Sequence, residues 1–162
     1  IRDNRSSRGL GMCIRDRSLS DPFCVERHHQ DFNELIRSRV DLLFCNQEEA
    51  FTMMETQVTQ EALAGLSENV ETVVMTLGNR GSLICNQGQI YYIDPIEVEV
   101  VDTTGAGDAY AAGFLYGFSH DQSIMNCGRI ASVMAGTVIE QIGPRIETAS
   151  MKTLKERLTN IP

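Results

Sequence analysis

A carboxylate set directly behind a glycine hinge is the feature of this sequence best suited to chemistry. In Val100-Val101-Asp102-Thr103-Thr104-Gly105-Ala106-Gly107-Asp108-Ala109-Tyr110 a β-rich run at residues 97–101 stops at an Asp-Thr-Thr turn. The chain then passes through Gly-Ala-Gly into an apolar helical stretch opening at Asp108 and Ala109. Glycines at 105 and 107 let the backbone turn sharply and approach a bound group closely. The helix behind them aims unpaired N–H groups and its positive dipole end at the hinge. That environment suits an anion, phosphate first. Asp108 would repel the anion unless its task is to take a proton from a hydroxyl that attacks the phosphorus. The plain structural alternative is that Asp108 only caps the helix, since Asp is a favoured N-cap.

Two earlier segments could join this site. Residues 40–45 form a short apolar run, consistent with a parallel strand buried on both faces. Asn46-Gln47-Glu48-Glu49 follows at once, and Asn46 with Glu49 three residues on reads as a capping pair. Residues 71–77 are β-branched and apolar, ending in Thr76-Leu77-Gly78-Asn79-Arg80-Gly81. Taken alone, Gly78 and Gly81 make a turn. Residues 82–85 and 90–93 around Gln87-Gly88 predict a hairpin.

The positioning elements follow from periodicity. Helices are expected over 27–39, 58–69, 109–118, 123–140 and 151–158, from apolar residues at helical spacing. Residues 19–25 read as a strand end running into a loop, with Pro22 forcing extension before it. His28 and His29 are neighbours facing different directions, and so read as surface residues, not a metal pair. Small residues on 123–140 (Gly128, Ala131, Ser132, Ala135, Gly136) permit tight packing or leave room for a flat ligand.

Bulk properties exclude several classes. The chain has 162 residues, 42% hydrophobic and 22% charged, with a net charge of −8. It is long enough for one domain with a core, and its acidity argues against nucleic acid as a partner. Cys13, Cys24, Cys45, Cys85 and Cys127 are odd in number and contain no C-x-x-C pair. They read as buried free thiols in a reducing compartment. No apolar run reaches membrane-spanning length and no signal peptide is visible, so a cytoplasmic protein is expected. Residues 1–17 carry five arginines against two aspartates, a net of +3 that leaves −11 on the rest. They show neither helical nor strand periodicity and resemble translated adaptor sequence, so the domain is expected at 18–162.

The Asp-Thr-Thr-Gly-Ala-Gly-Asp run resembles the second signature of the ribokinase-like (PfkB) carbohydrate and nucleoside kinases. Asn46-x-x-Glu49 behind a strand and Thr76-x-Gly78-x-x-Gly81 resemble two further motifs of that family. The likeness spans roughly residues 18–145 and is nearest to the bacterial adenosine kinase-like sugar kinases. It implies the C-terminal half of a doubly wound α/β fold, a mainly parallel sheet flanked by helices with a β-hairpin. The N-terminal half and its β-sheet lid are then missing. It implies ATP and Mg²⁺, with Asp108 as base and the amides of Gly105, Ala106 and Gly107 as an anion hole. Asn46, Thr76, Gly78, Asn79 and Gly81 would lie along the nucleotide, with Ser132 bordering the adenine and Glu49 supporting hydrated magnesium. Asp102 and Thr104 match places where some members bind potassium, although Glu147 stands where ribokinases tend to have a smaller hydroxyl residue.

The expected activity is therefore transfer of the γ-phosphoryl of ATP to a sugar or nucleoside, with a homodimer open for the full-length protein. A fragment of this length is expected to be inactive alone. The competing reading is a non-catalytic ATP- or ADP-binding module. A dinucleotide-binding dehydrogenase ranks below both, because Gly105-x-Gly107 is followed by Asp108 and not by x-x-Gly.

Overall fold

The computed structural model describes residues 15–19, 22–159 and 161. Its sheet contains β1 (Asp16–Ser18), β2 (Leu42–Asn46), β3 (Thr72–Thr76), β4 (Ser82–Asn86) and β5 (Gln89–Ile93), adjacent in that order. The first three strands are parallel, and β4 and β5 add an antiparallel hairpin. Parallel neighbours need crossover connections. Here α1 (Pro22–Arg27) and α2 (His29–Arg39) join β1 to β2, while α3 (Gln47–Met54) and α4 (Thr59–Ser67) join β2 to β3.

Alternation along the buried strands sorts the core into two layers. Leu43, Cys45, Val73 and Met75 face the helices α1–α4, meeting Val25, Phe32, Ile36, Met53, Leu63 and Leu66. Their neighbours Leu42, Phe44 and Val74 point the other way, towards α5 (Ala106–Ser119) and α6 (Ile124–Ile139). There Phe114 meets Phe44 edge-on with ring centroids 5.7 Å apart. The expected doubly wound half-fold is what the chain forms. The last helix, α7 (Met151–Thr159), is tied to α6 by the bidentate Arg157–Glu140 pair.

The small residues of α6 serve close packing. A Cβ at Gly128 would stand 2.5 Å from Ile93 Cγ1, and one at Gly113 on α5 would stand 2.8 Å from Ala131 Cα. The two helices and the hairpin therefore fit only with hydrogen in those places.

Several expectations need correction. Residues 97–101 form no strand; Val101 and Asp102 instead direct their amides to the Ile139 carbonyl at the end of α6. Residues 22–25 are helical, because Pro22 occupies the first position of α1, where its missing N–H is of no consequence. Strand β1 crosses the boundary drawn between residues 17 and 18, and Arg15 forms an ion pair with Asp41 at 3.2 Å. Residues 1–14, with Cys13, lie outside the described part. Cys45, Cys85 and Cys127 are buried free thiols as expected, but Cys24 is exposed. His28 is exposed as read, whereas His29 is half-buried and bonds the Met53 carbonyl at 2.9 Å. Among the described residues, no helix is long and apolar enough to cross a membrane.

Candidate active site

Three loops meet at the carboxyl ends of the parallel strands, the usual ligand position in open α/β sheets. Asn46 ends β2, Thr76 ends β3 beside it, and Ser82 pairs with Thr76 as β4 returns. The helix α5 begins at the same edge, since the Tyr110 hydroxyl on its second turn lies 2.6 Å from Ser82 Oγ.

The α5 entrance has the predicted geometry, with one change. Gly105, not Asp108, is the N-cap, in the left-handed conformation at φ 81°. Asp108 is the third helical residue, exposed, and its side chain has no hydrogen bond or ion pair among the described residues. The capping alternative therefore fails. Ala106 donates its amide to the Thr103 carbonyl at 3.1 Å, so that amide is already engaged. The amides of Gly105, Gly107 and Asp108 find no acceptor among the described residues. These are the donors open to an anion at a helix N-terminus.

Asp102 clamps this entrance. One carboxylate oxygen accepts the Thr104 amide and the other accepts the Gly143 amide, each at 2.9 Å. The Thr104 hydroxyl first, then these two amides, hold its carboxyl below the usual carboxylate range. A carboxylate with a depressed native pKa adds stability above its unfolded pKa and loses it as pH falls through the native value. Asp102→Asn is therefore expected to flatten the decline of thermal stability between about pH 5 and pH 3. Melting curves at stepped pH check this; parallel curves for the two proteins would remove Asp102 from the clamp.

Asn46 and Glu49 form a complete capping box on α3. Asn46 Oδ1 accepts the Glu49 amide at 2.8 Å, and Glu49 Oε2 accepts the Asn46 amide at 2.9 Å. Asn46 Nδ2 also donates to Glu49 Oε1 at 2.8 Å, so both carboxylate oxygens are engaged and Glu49 is 5% exposed. Beside it, burial and then the Glu49 charge push the Cys45 thiol upward.

The loop after β3 is a single 3-10 turn, Gly78–Arg80, with Gly78 and Asn79 exposed. Gly81 closes it at φ 82°, and a Cβ there would fall 2.1 Å from the Ile93 carbonyl oxygen. Only glycine fits. Arg80 reaches Gln47 Oε1 at 2.5 Å, which joins this turn to the start of α3. Ser132 is buried on α6, one turn after Gly128, whose carbonyl accepts from the Tyr110 hydroxyl. Sequence reasoning did not find Ser82, Tyr110, Gln47 or Arg80. Their only signal was adjacency to the motifs, and the pairings among them span 28 and 33 residues.

Two clefts, of about 220 and 350 Å³, lie elsewhere. The first sits between α2, α3 and α4, and the second at the far end of α5 near Tyr116 and His120. Neither is lined by any residue of the three loops, and neither brings together groups suited to phosphate chemistry. Among the described residues, no three His, Cys, Asp or Glu side chains converge on a metal position.

The sequence pattern of the pfkB family carbohydrate kinases matches residues 5–150. The chain belongs to this family. A sugar kinase of Archaeoglobus fulgidus, itself uncharacterised, is 32% identical over 121 residues, covering 75% of this chain and 48% of its own. The adenosine kinase structure from Sinorhizobium meliloti superposes with a TM-score of 0.83 at 38% identity, over 87% of this chain and 44% of that one. The Arabidopsis thaliana ribokinase complexed with ribose and ATP gives a TM-score of 0.69 at 28% identity, over 80% and 44%. The chain thus spans about half the length of the pfkB relatives it matches.

Proposed function

We propose that the complete protein transfers the γ-phosphoryl group of ATP to a hydroxyl of a sugar or nucleoside, in the cytoplasm. One observation carries this reading: among the described residues, Asp108 stands exposed and unbonded in the first turn of α5, beside amides that have no acceptor. Asp108 accepts the proton of the acceptor hydroxyl as its oxygen bonds to the γ-phosphorus, and the bond from that phosphorus to the ADP oxygen breaks. The amides of Gly105 and Gly107 face the charge that develops on the phosphoryl oxygens. Preorganised donors of this kind contribute about 10²–10³ in rate each. The turn at Gly78–Arg80, with Thr76 and Gly81 at its ends, and Asn46 form the adjoining bed for the nucleotide. Ser132 would border the adenine, as the family resemblance implies.

Glu49 fits magnesium only at second hand. Both its oxygens accept from Asn46, so Glu49 would support the ion only through one of its waters. Magnesium retains several waters and is held largely by substrate phosphates, and it neutralises their charge when bound. Asp102 and Thr104 are the residues that would hold potassium, with each Asp102 oxygen also accepting a backbone amide.

The test is ADP release by the complete protein with ATP and a panel of ribose, fructose and adenosine. Acceptor-dependent release with at least one is expected; release with none overturns the reading. The 162-residue chain alone is expected to show no steady release with any of them. The second reading is a non-catalytic ATP- or ADP-binding module. Nucleotide binding by the complete protein without transfer would select it.

A further inference from the structure

We propose that the Tyr110 hydroxyl is a positioning group that ties the Leu77–Gly81 turn to the turn carrying Asp108, fixing nucleotide and base relative to each other. The inference rests on the kinase reading above. Tyr110 lies two residues after Asp108, so on a helix of 3.6 residues per turn the two side chains leave on nearly opposite sides. Asp108 is exposed while Tyr110 is 6% exposed. The inward side chain is therefore the one that sets where the outward one stands.

Its hydroxyl meets two other elements, β4 and α6. Ser82 Oγ, from the residue directly after Gly81, lies 2.6 Å away and is fully buried. The Gly128 carbonyl, one turn before Ser132 on α6, accepts from the Tyr110 hydroxyl at 3.5 Å. A phenol has one proton to donate and two lone pairs to accept with. The Gly128 carbonyl can only accept. The balanced arrangement has Tyr110 donating to Gly128 while Ser82 donates to Tyr110. Burial pushes the phenol up to about 12, with the Ser82 and Ser132 hydroxyls opposing that rise, so the group stays neutral at ordinary pH. The hub sits where β4, α5 and α6 meet, immediately behind the loop and the base. A phenylalanine would fill the same apolar volume but leave β4 free to shift against α5.

Two variants cut the link from opposite sides, Tyr110→Phe and Ser82→Ala. In the complete protein each is expected to lower kcat about tenfold while the acceptor KM stays within about twofold, as misplacement of a reacting group predicts. In the 162-residue chain the amide NMR shifts are expected to cross the hub. Tyr110→Phe should move the signals of Gly78, Asn79 and Gly81, and Ser82→Ala should move those of Gly107 and Asp108. A merely structural hydroxyl would lower the melting temperature and leave the kcat of folded enzyme at its parental value; that result overturns the proposal. Shifts confined to the substituted element overturn it too, whatever the rate. If the complete protein transfers no phosphate, the kinase reading falls and the crossed shifts alone decide the coupling. Should Tyr110→Phe fail to fold, Ser82→Ala carries the test.

Discussion

Asp108→Asn in the complete protein is expected to remove turnover, by at least about 10²–10⁴-fold, while ATP affinity stays within a few-fold. The substitution keeps the size and shape of the side chain and removes its capacity to hold the acceptor's proton. Asp108 is exposed and engages no partner among the described residues. The fold should therefore register the change by no more than about 0.5 kcal/mol, as at other unengaged surface positions. Nucleotide affinity is expected to hold because the unpaired amides and the 3-10 turn are untouched. Loss of a negative charge beside phosphates can only favour binding. Steady-state kinetics with saturating ATP, set against a direct binding measurement, separates the two effects. A mutant with near-parental kcat would strip Asp108 of its role as base.

The parts of this architecture that rest on local pattern were legible in the sequence. Four buried positions in a row in β2 and β3 mark strands covered on both faces, and Asn46 with Glu49 announced the start of α3. The hairpin was readable from Gln87-Gly88, where both residues take positive φ. Residues 97–101 misled for a physical reason. Their alternation of valine and glutamate looks like a strand, yet the chain there follows the end of α6, and the Ile139 carbonyl takes the amides of Val101 and Asp102. Only the placement of a helix nearly forty residues later decides that outcome. Pro22 misled likewise, since a proline that disfavours helix before it can also open one.

The site divides along the same line. The glycines and Asp108 were visible because their spacing is local. The hub at Tyr110, the Arg80–Gln47 bridge and the hold of Gly143 on Asp102 were not, because each joins residues separated by 28 to 41 positions. Gly105 lay in plain view, but the reason it must be glycine did not. That reason is Pro144, which no local pattern ties to it.

The two glycines of the signature are expected to respond in opposite ways to the same added methyl group. Gly105 has φ 81°, and a Cβ there would stand 2.5 Å from Pro144 Cβ and 2.9 Å from Pro144 Cα. Left-handed backbone costs an alanine about 1–2 kcal/mol, and overpacking adds typically about 1–3 kcal/mol. The obstructing atoms belong to a proline ring and backbone, so they give way only if the loop moves. That loop includes Gly143, whose amide holds Asp102, and a shift would open the clamp that shapes the anion site. Gly105→Ala should thus lower both thermal stability and, in the complete protein, turnover. Gly107 is helical, carries no positive φ, and a Cβ there would meet nothing within 4 Å. Gly107→Ala should leave the fold as stable as before or slightly more so, because alanine loses less backbone freedom than glycine on entering a helix. Its methyl group would nonetheless stand among the open amides, where a phosphate must approach, so ATP affinity should fall while the melting temperature does not. Parental ATP affinity in Gly107→Ala would mean that phosphate does not approach these amides, and an unchanged melting temperature in Gly105→Ala would mean that Pro144 does not press against the hinge.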